Sequence, residues 1–323
     1  MSLHNFRYMA LETSGLLNLH KPADVTSRWV VDQVQKLVRP AKVGHAGTLD
    51  PLATGVLVVC VGKATRLVEY VQQLPKQYRA EFQLGKTSTT EDITGEVTDL
   101  IEPPVPSFDE LQTAVRNLTG EILQRPPAFS ALKVAGRRAY DLARKGQAVE
   151  LAPRPVTIHQ LNIVVFDYPR LLVDVSCSSG TYIRSLGRDL AEALGTGAVM
   201  SALERTAIGN FRVSDSIEVE ALTHETLANH LLPPLTAVDH LPRYQLNAAE
   251  QTHIANGRYI PAIASQFTKP ACEFTEFQPT DPVEYAGIDC RGNLAAILRR
   301  RSDELLGPAI NFSSPAQQPL ADR

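Results

Sequence analysis

The sequence predicts an α+β protein, on three observations. Strands show as period-two alternation: Tyr78, Ala80, Phe82 and Leu84 against Arg79, Glu81 and Gln83, then Leu171, Val173, Val175 and Cys177 against Leu172, Asp174, Ser176 and Ser178. Helices show as apolar stripes at the spacing of an α-helix: Val30, Val31, Val34 and Leu37/Val38, then Ile183, Leu186, Leu190 and Leu194. A chain of 323 residues is long enough for two domains, or one large domain with an appendage.

Composition narrows the function classes. An apolar content of 44% suits a globular enzyme. The longest uncharged apolar run, Val56 to Val61, is far too short to cross a bilayer, and Met1 to Thr13 lacks the apolar core of a secretory signal. The four cysteines, Cys60, Cys177, Cys272 and Cys290, form no CxxC pair and have no histidine cluster nearby. Cys60 and Cys177 are expected as buried free thiols, and the whole pattern predicts a cytoplasmic protein with no metal site. Net charge is −3, but its distribution is uneven. Arg125 to Lys145 carries six basic residues (Arg125, Lys133, Arg137, Arg138, Arg144, Lys145) and one acid, Asp141. Such a patch can bind a phosphate backbone whatever the total charge, or can be a solvated helix face.

In chain order, residues 1–14 read as a tail. Gly15 to Lys21 is a short strand stopped by Pro22, and Thr26 or Ser27 caps the helix that follows. Gly44 to Gly55 holds three glycines, a proline and two threonines, the composition of an irregular loop. Pro51 biases Asp50 toward extended backbone, so a carboxylate sits on a stiff loop that runs straight into Val56–Val61, a buried strand or short core helix. Gly62-Lys63 fails as a phosphate loop, because the spacing from Gly55 is too long and Ala64 follows the lysine. Thr87 to Gly95 is a polar loop, Pro103 to Pro106 breaks the chain, and Ser107 caps a helix over Phe108–Leu118. Arg137 to Tyr140 is expected to be helical. After Ser179-Gly180 the period switches from strand to helix, which Gly195 ends; Arg184 and Arg188 share a face of that helix, one turn apart. Beyond Pro242 the composition changes. Ala286–Asp289 and Leu294–Arg299 are strand-like, and Arg299-Arg300-Arg301 is either a phosphate contact or a solvated turn.

The segment Gly44-His45-Ala46-Gly47-Thr48-Leu49-Asp50-Pro51-Leu52-Ala53-Thr54-Gly55-Val56-Leu57 resembles the signature of the bacterial tRNA pseudouridine-55 synthases, the TruB family. The resemblance implies that Asp50 is the catalytic carboxylate. It extends to Lys21-Pro22 followed by Thr26-Ser27, where Lys21 and Pro22 would support the Asp50 loop. It includes Lys76-Gln77-Tyr78-Arg79, whose Tyr78 would lie against the target base and take part in proton removal. In Gly180-Thr181-Tyr182-Ile183-Arg184, Arg184 would pair with Asp50 and Tyr182 would contact substrate. In Leu203-Glu204-Arg205-Thr206, Leu203 would line the uracil pocket. His45 and Thr48 would contact the RNA around the flipped base, and Lys133, Arg137 and Arg138 the tRNA backbone. The chain departs from the family pattern at Thr89, where an aspartate is usual, at Phe129, where a tyrosine is usual, and at Glu204, which replaces an arginine.

The implied fold is a mixed, largely antiparallel sheet flanked by helices, the pseudouridine synthase fold, with a small C-terminal PUA-like β-barrel. The implied domains are a catalytic domain over residues 15–245, carrying a tRNA-binding insertion at 86–150, a PUA-like domain at 246–312 and a tail at 313–323. The implied partner is the T-arm stem-loop of tRNA, with no membrane and no obligate protein partner. Conversion of uridine to pseudouridine breaks the ribose–nitrogen bond, turns the ring and rejoins it through carbon; no electrons are exchanged, so no cofactor is expected. The reaction needs a carboxylate, a buried pocket and a group that removes a proton from carbon. An arginine beside Asp50 would keep the carboxylate ionised. Two rivals keep some of these features: a ribonuclease using His45 and Asp50 as acid and base, and a non-catalytic tRNA-binding folding chaperone that has no need of Asp50.

Overall fold

The computed structural model describes residues 14–129, 133–134, 137–138, 151–272, 274 and 284–313. The tails at 1–13 and 314–323, with most of the basic segment from Ser130 to Glu150, lie outside the described residues.

A ten-stranded sheet forms the body of the molecule. Its main path runs Ile217–Glu218, Gly15–Lys21, Thr54–Val61, Ala198–Ile208, Lys76–Leu84, Arg170–Cys177, Arg154–Asp167 and Gly120–Gln124. Val43–His45 pairs beside Thr54–Val61, and Phe211–Arg212 beside Ala198–Ile208. The sheet is mixed and largely antiparallel: only Gly15–Lys21 with Ile217–Glu218 and Thr54–Val61 with Ala198–Ile208 pair in parallel. The second of these pairs has just two register partners, Glu204 with Thr54 and Arg205 with Gly55, so the central strands diverge immediately beyond them.

The alternation read from sequence buries the expected faces. Ala80, Phe82 and Leu84 join Leu171, Val173, Val175 and Cys177 in one core, under the helix Ile183–Ala193 through Ile183, Leu186 and Leu190. The helix Ser27–Val38 covers the other half through Val30, Val34 and Val38, against Leu17, Leu19, Leu57, Val59 and Val61. Its cap is Thr26, whose hydroxyl accepts from Trp29 N at 3.1 Å. Val56–Val61 is strand, because Gly15–Lys21 pairs along its whole length. The helix Phe108–Asn117 starts at Ser107 in a reciprocal capping box with Glu110. Cys60 and Cys177 are buried and take part in no disulfide, and burial pushes Cys60 up to about 12. One expectation is overturned. Arg137–Arg138 is not helix but one arm of a short antiparallel hairpin with Lys133–Val134. Apolar spacing gives no warning of this, since a two-residue arm is too short to show a period.

The C-terminal part is a second sheet of six strands, Ile260–Pro261, Leu305–Asn311, Leu294–Ser302, Glu284–Ile288, Arg243–Gln245 and Phe267–Thr268 in that order. Among the described residues its two end strands, Ile260–Pro261 and Phe267–Thr268, do not pair with each other. It is also continuous with the body: Ala286, Ile288, Leu294 and Ile297 share a core with Leu16, Val56, Val58 and Cys60. Polar ties reinforce that seam, with Tyr70 donating to Glu284 at 2.6 Å, Lys63 to the Phe312 carbonyl at 3.1 Å and Arg66 to the Asn311 carbonyl at 2.7 Å. Among the described residues no helix is long and apolar enough to cross a membrane.

Candidate active site

The site lies where the two central strands diverge, and it is built around the loop between Val43–His45 and Thr54–Val61. Leu49 and Ala53 of the loop enter one core and Ala46 another, which leaves Asp50 between them with a 40% exposed side chain. Polar groups fix the loop from three sides. Ser27 grips Leu49 twice, its hydroxyl donating to the carbonyl at 3.0 Å and accepting from the amide at 2.8 Å. Lys21, fully buried, donates to the carbonyls of Pro22, Val25 and Pro51 at 2.7, 2.7 and 3.1 Å. The Asp24 amide donates to the same Pro51 carbonyl at 2.9 Å. Arg205 donates to the carbonyls of Val56, Gly47 and Thr48. Burial brings Lys21 down to about 8, with the nearby charges of Asp24 and Asp50 opposing the fall.

Arg184 reaches the loop from the first turn of its helix. Its guanidinium lies 3.0 Å from Asp50 Oδ2 and 3.6 Å from Asp92 Oδ2, and donates to the carbonyls of Thr90 at 2.9 Å and Phe129 at 3.1 Å. Asp92 is buried, and its other oxygen accepts from the Thr90 hydroxyl and from both the amide and the hydroxyl of Thr94. Next door Arg188 pairs with Glu91 and Asp189, while the Ser185 hydroxyl donates to Glu91 at 2.9 Å. The helix therefore holds two segments at once, the Asp50 loop and the Thr90–Thr94 loop.

Tyr182 stands just before that helix, its amide and carbonyl both bonded by the buried side-chain amide of Gln124. Arg154 lies over its ring, 5.0 Å from the centroid. Tyr78 is half-buried, and Leu203 is buried in the cluster that holds Leu49. Burial pushes the Tyr78 phenol up, and the Arg205 guanidinium beside it pulls the other way. His45 is lowered from its ordinary value, first by burial and second by the Arg205 charge. Thr48 is exposed at the rim. Asp50, Arg184, His45, Thr48, Leu203, Lys21 with Pro22, and Tyr78 thus gather around one loop, while the contacts of Tyr182 are with Gln124 and Arg154. Lys133, Arg137 and Arg138 are described only as a backbone hairpin; their side chains lie outside the described residues.

The departures from the family pattern fall in instructive places. Thr89 is exposed and accepts from the Glu96 amide, so the acid that meets Arg184 is Asp92, not a residue at 89. Phe129 contributes its backbone carbonyl. Glu204 lies on the strand opposite Arg79, which is held by Asp174, while its neighbour Arg205 is buried. Four residues that hold the site have no site role in the sequence reading: Ser27, Asp92, Gln124 and Arg205. A polar residue in a strand or at a helix start has no periodic signature, and only the fold shows what it touches.

A model described as TruB family pseudouridylate synthase (N terminal domain) matches residues 35–183, and one described as tRNA pseudouridylate synthase B C-terminal domain matches residues 184–239. Proteins named tRNA pseudouridine synthase B are similar over most of the chain. That of Moorella thermoacetica is 44% identical over 252 residues, 75% of this chain and 82% of its own length. That of Dehalococcoides mccartyi is 38% identical over 313 residues, 96% of this chain and 100% of its own. A chain from an H/ACA ribonucleoprotein bound to a substrate RNA containing 2′-deoxyuridine superposes with a TM-score of 0.71 at 23% identity, over 96% of this chain and 88% of that one, a likeness of fold. By the models that together span residues 35–239 and by these relatives, the chain belongs to the TruB family of pseudouridylate synthases.

Proposed function

We propose that the protein isomerises uridine-55 in the T-loop of tRNA to pseudouridine, in the cytoplasm, with Asp50 as the catalytic carboxylate. The observation that carries this reading is the Asp50–Arg184 pair, 3.0 Å apart on a loop anchored from three sides, with Asp50 still 40% exposed. A carboxylate so held can meet a nucleotide brought out of its stack, at an unstacking cost of a few kcal/mol. Leu203 offers the base an apolar wall. Tyr78 and Tyr182 offer aromatic faces, and His45 and Thr48 offer polar contacts at the rim. Tyr78 removes the proton from carbon. The C-terminal sheet serves as the PUA-like RNA-binding module, and the basic hairpin around Lys133, Arg137 and Arg138 holds the T-arm backbone.

The test is incubation of a T-arm stem-loop with the protein, followed by carbodiimide detection of pseudouridine and sizing of the RNA. Full-length RNA carrying the adduct is expected from the wild type, and none from Asp50→Asn, which binds RNA with undiminished affinity. Cleaved RNA would point instead to the nuclease. Substantial turnover by Asp50→Asn would remove Asp50 from its role.

A further inference from the structure

Arg205 is buried to 2% exposure in the centre of the molecule, and among the described residues no carboxylate pairs with it. Leaving a guanidinium unpaired in the interior is costly, so its surroundings are informative. It is the register partner of Gly55 on one neighbouring strand and of Tyr78 on the other. Its three hydrogen bonds to backbone carbonyls, of Val56 at 2.8 Å, Gly47 at 3.1 Å and Thr48 at 3.4 Å, hold the Asp50 loop and the strand that follows it, and its side chain is also hydrogen-bonded with Tyr78. Gly55, at φ +94°, lets that chain lie directly on the Arg205 backbone, where any Cβ would overlap the Arg205 carbonyl. A cross-strand pair places side chains on one face, so the guanidinium reaches the loop past Tyr78.

We propose that Arg205 is a positioning residue of the isomerisation: it fixes the Asp50 loop through its carbonyls and supplies the positive charge against which the Tyr78 oxygen accepts a proton from uracil C5. The inference rests on the isomerase reading given above. Once C5 has joined the ribose, it carries both the sugar and a hydrogen. The proton passes to the Tyr78 phenolate, the C5–H electron pair becomes the C5=C6 double bond, and the C6=N1 pair returns to N1, which takes a proton from water. Tyr78 then releases its proton to water, and no atom is gained or lost. The ionisable groups facing Tyr78 are Asp50 from the loop, Cys177 from the adjacent strand and Arg205; burial, Cys177 and Asp50 all disfavour a phenolate, and Arg205 alone favours it. Lys21, His45 and Lys76 are all lowered, first by burial, and the Arg205 charge adds to the fall in each.

The experiment is single-turnover pseudouridine formation on a T-arm stem-loop carrying hydrogen or deuterium at C5 of the target uridine. Wild type, Arg205→Gln and Arg205→Lys are compared between about pH 6 and 9, with RNA affinity and melting temperature measured in parallel. Arg205→Gln is expected to bind RNA as wild type does, to lose about 100-fold in rate at neutral pH, and to regain rate as pH rises. It should also show a larger C5 isotope effect than wild type, because proton transfer has become the slow step. In Arg205→Lys the charge is kept at first. Burial has already brought Lys21 to about 8 and Lys76 to about 7, so a lysine in the same cluster loses its proton in that range. Its rate should level off there while that of the wild type goes on rising.

A folded variant that is slow, yet has the isotope effect and pH slope of the wild type, overturns the proton-transfer role. If Arg205→Gln fails to fold, the lysine variant decides alone: a profile parallel to that of the wild type overturns the inference. A wild type that forms no pseudouridine defeats the isomerase reading itself, whereas variants indistinguishable from an active wild type defeat only the role of Arg205.

Discussion

Arg184 is a single guanidinium with acceptors on three separate segments: Asp50, Asp92 with the Thr90 carbonyl, and the Phe129 carbonyl. A planar fork can serve all of these at once, whereas lysine is a point charge on a flexible stem. Arg184→Lys should therefore keep the fold and RNA affinity but lose about 100-fold in single-turnover rate, since a misplacement near 1 Å costs that much. Arg184→Met should also be less stable by about 3 kcal/mol, because the buried Asp92 carboxylate is left without its cation. Turnover and urea denaturation of the two variants check this, and wild-type turnover in the lysine variant would show that the pair with Asp50 is incidental. The sequence motif led to Arg184 and Asp50. It did not lead to Ser27, which read as an alternative helix cap; Thr26 caps the helix and frees Ser27 to grip Leu49.

At the scale of elements, the helix Ile183–Ala193 owes its closeness to the sheet to Gly187. A Cβ at that position would overlap Cε1 of Phe82, the large aromatic at the centre of the core. The helix propensity of alanine would favour Gly187→Ala by at most about 1 kcal/mol, and overpacking opposes it by about 1–3 kcal/mol. Packing wins, so the variant should be destabilised. Its Arg184 should also be pushed away from Asp50, with a fall in turnover. Pairing it with Phe82→Leu, which opens the space, should recover part of both losses in thermal melting and activity assays. Additive losses in the double variant would show that the contact does not set the helix position. Sequence spacing located this helix and its apolar stripe correctly, but a glycine within a helical pattern reads as a mild defect until its neighbour across the core is known.

The whole molecule joins its two sheets through a shared core, and the junction carries its own titratable group. His240, beside Phe274 at 6.4 Å between ring centroids, is brought by burial to about 4. The unfolded chain protonates this imidazole near 6.5, before the folded one does. The contribution of His240 to stability is therefore complete above pH 6.5 and lost as pH falls from 6.5 toward 4. Across that window it amounts to about 3 kcal/mol, and His240→Leu should flatten the fall. Urea midpoints of both proteins from pH 7 to about 4 test it, and parallel profiles would rule out His240. RNA binding belongs to the same scale. Neutralising Arg137 and Arg138 together should weaken T-arm binding and lower the salt slope by about 2 units, by analogy with the duplex DNA value per phosphate contact. An unchanged slope would return the cluster to a solvated surface.

What the sequence determined by itself is the local order of the chain and the identity of the chemical groups. Period-two and helical spacing report which face of a segment is buried, so the strands at 78–84 and 171–177 and the helices at 30–38 and 183–194 were legible, as was the loop that carries Asp50. Family resemblance added the pairing expected of Asp50 and Arg184, residues far apart in the chain that the fold brings to 3.0 Å. The tertiary structure alone decided that Asp92 shares Arg184 with Asp50, that Arg205 runs beneath the Asp50 loop, and that the C-terminal sheet packs into the core of the body. It also decided that Lys133–Val134 pairs antiparallel with Arg137–Arg138. The physical reason is common to all four. Hydrophobic period records burial, which each segment carries in its own residues, whereas a polar side chain is assigned by its partner, and the partner comes from elsewhere in the chain only once the sheet has closed.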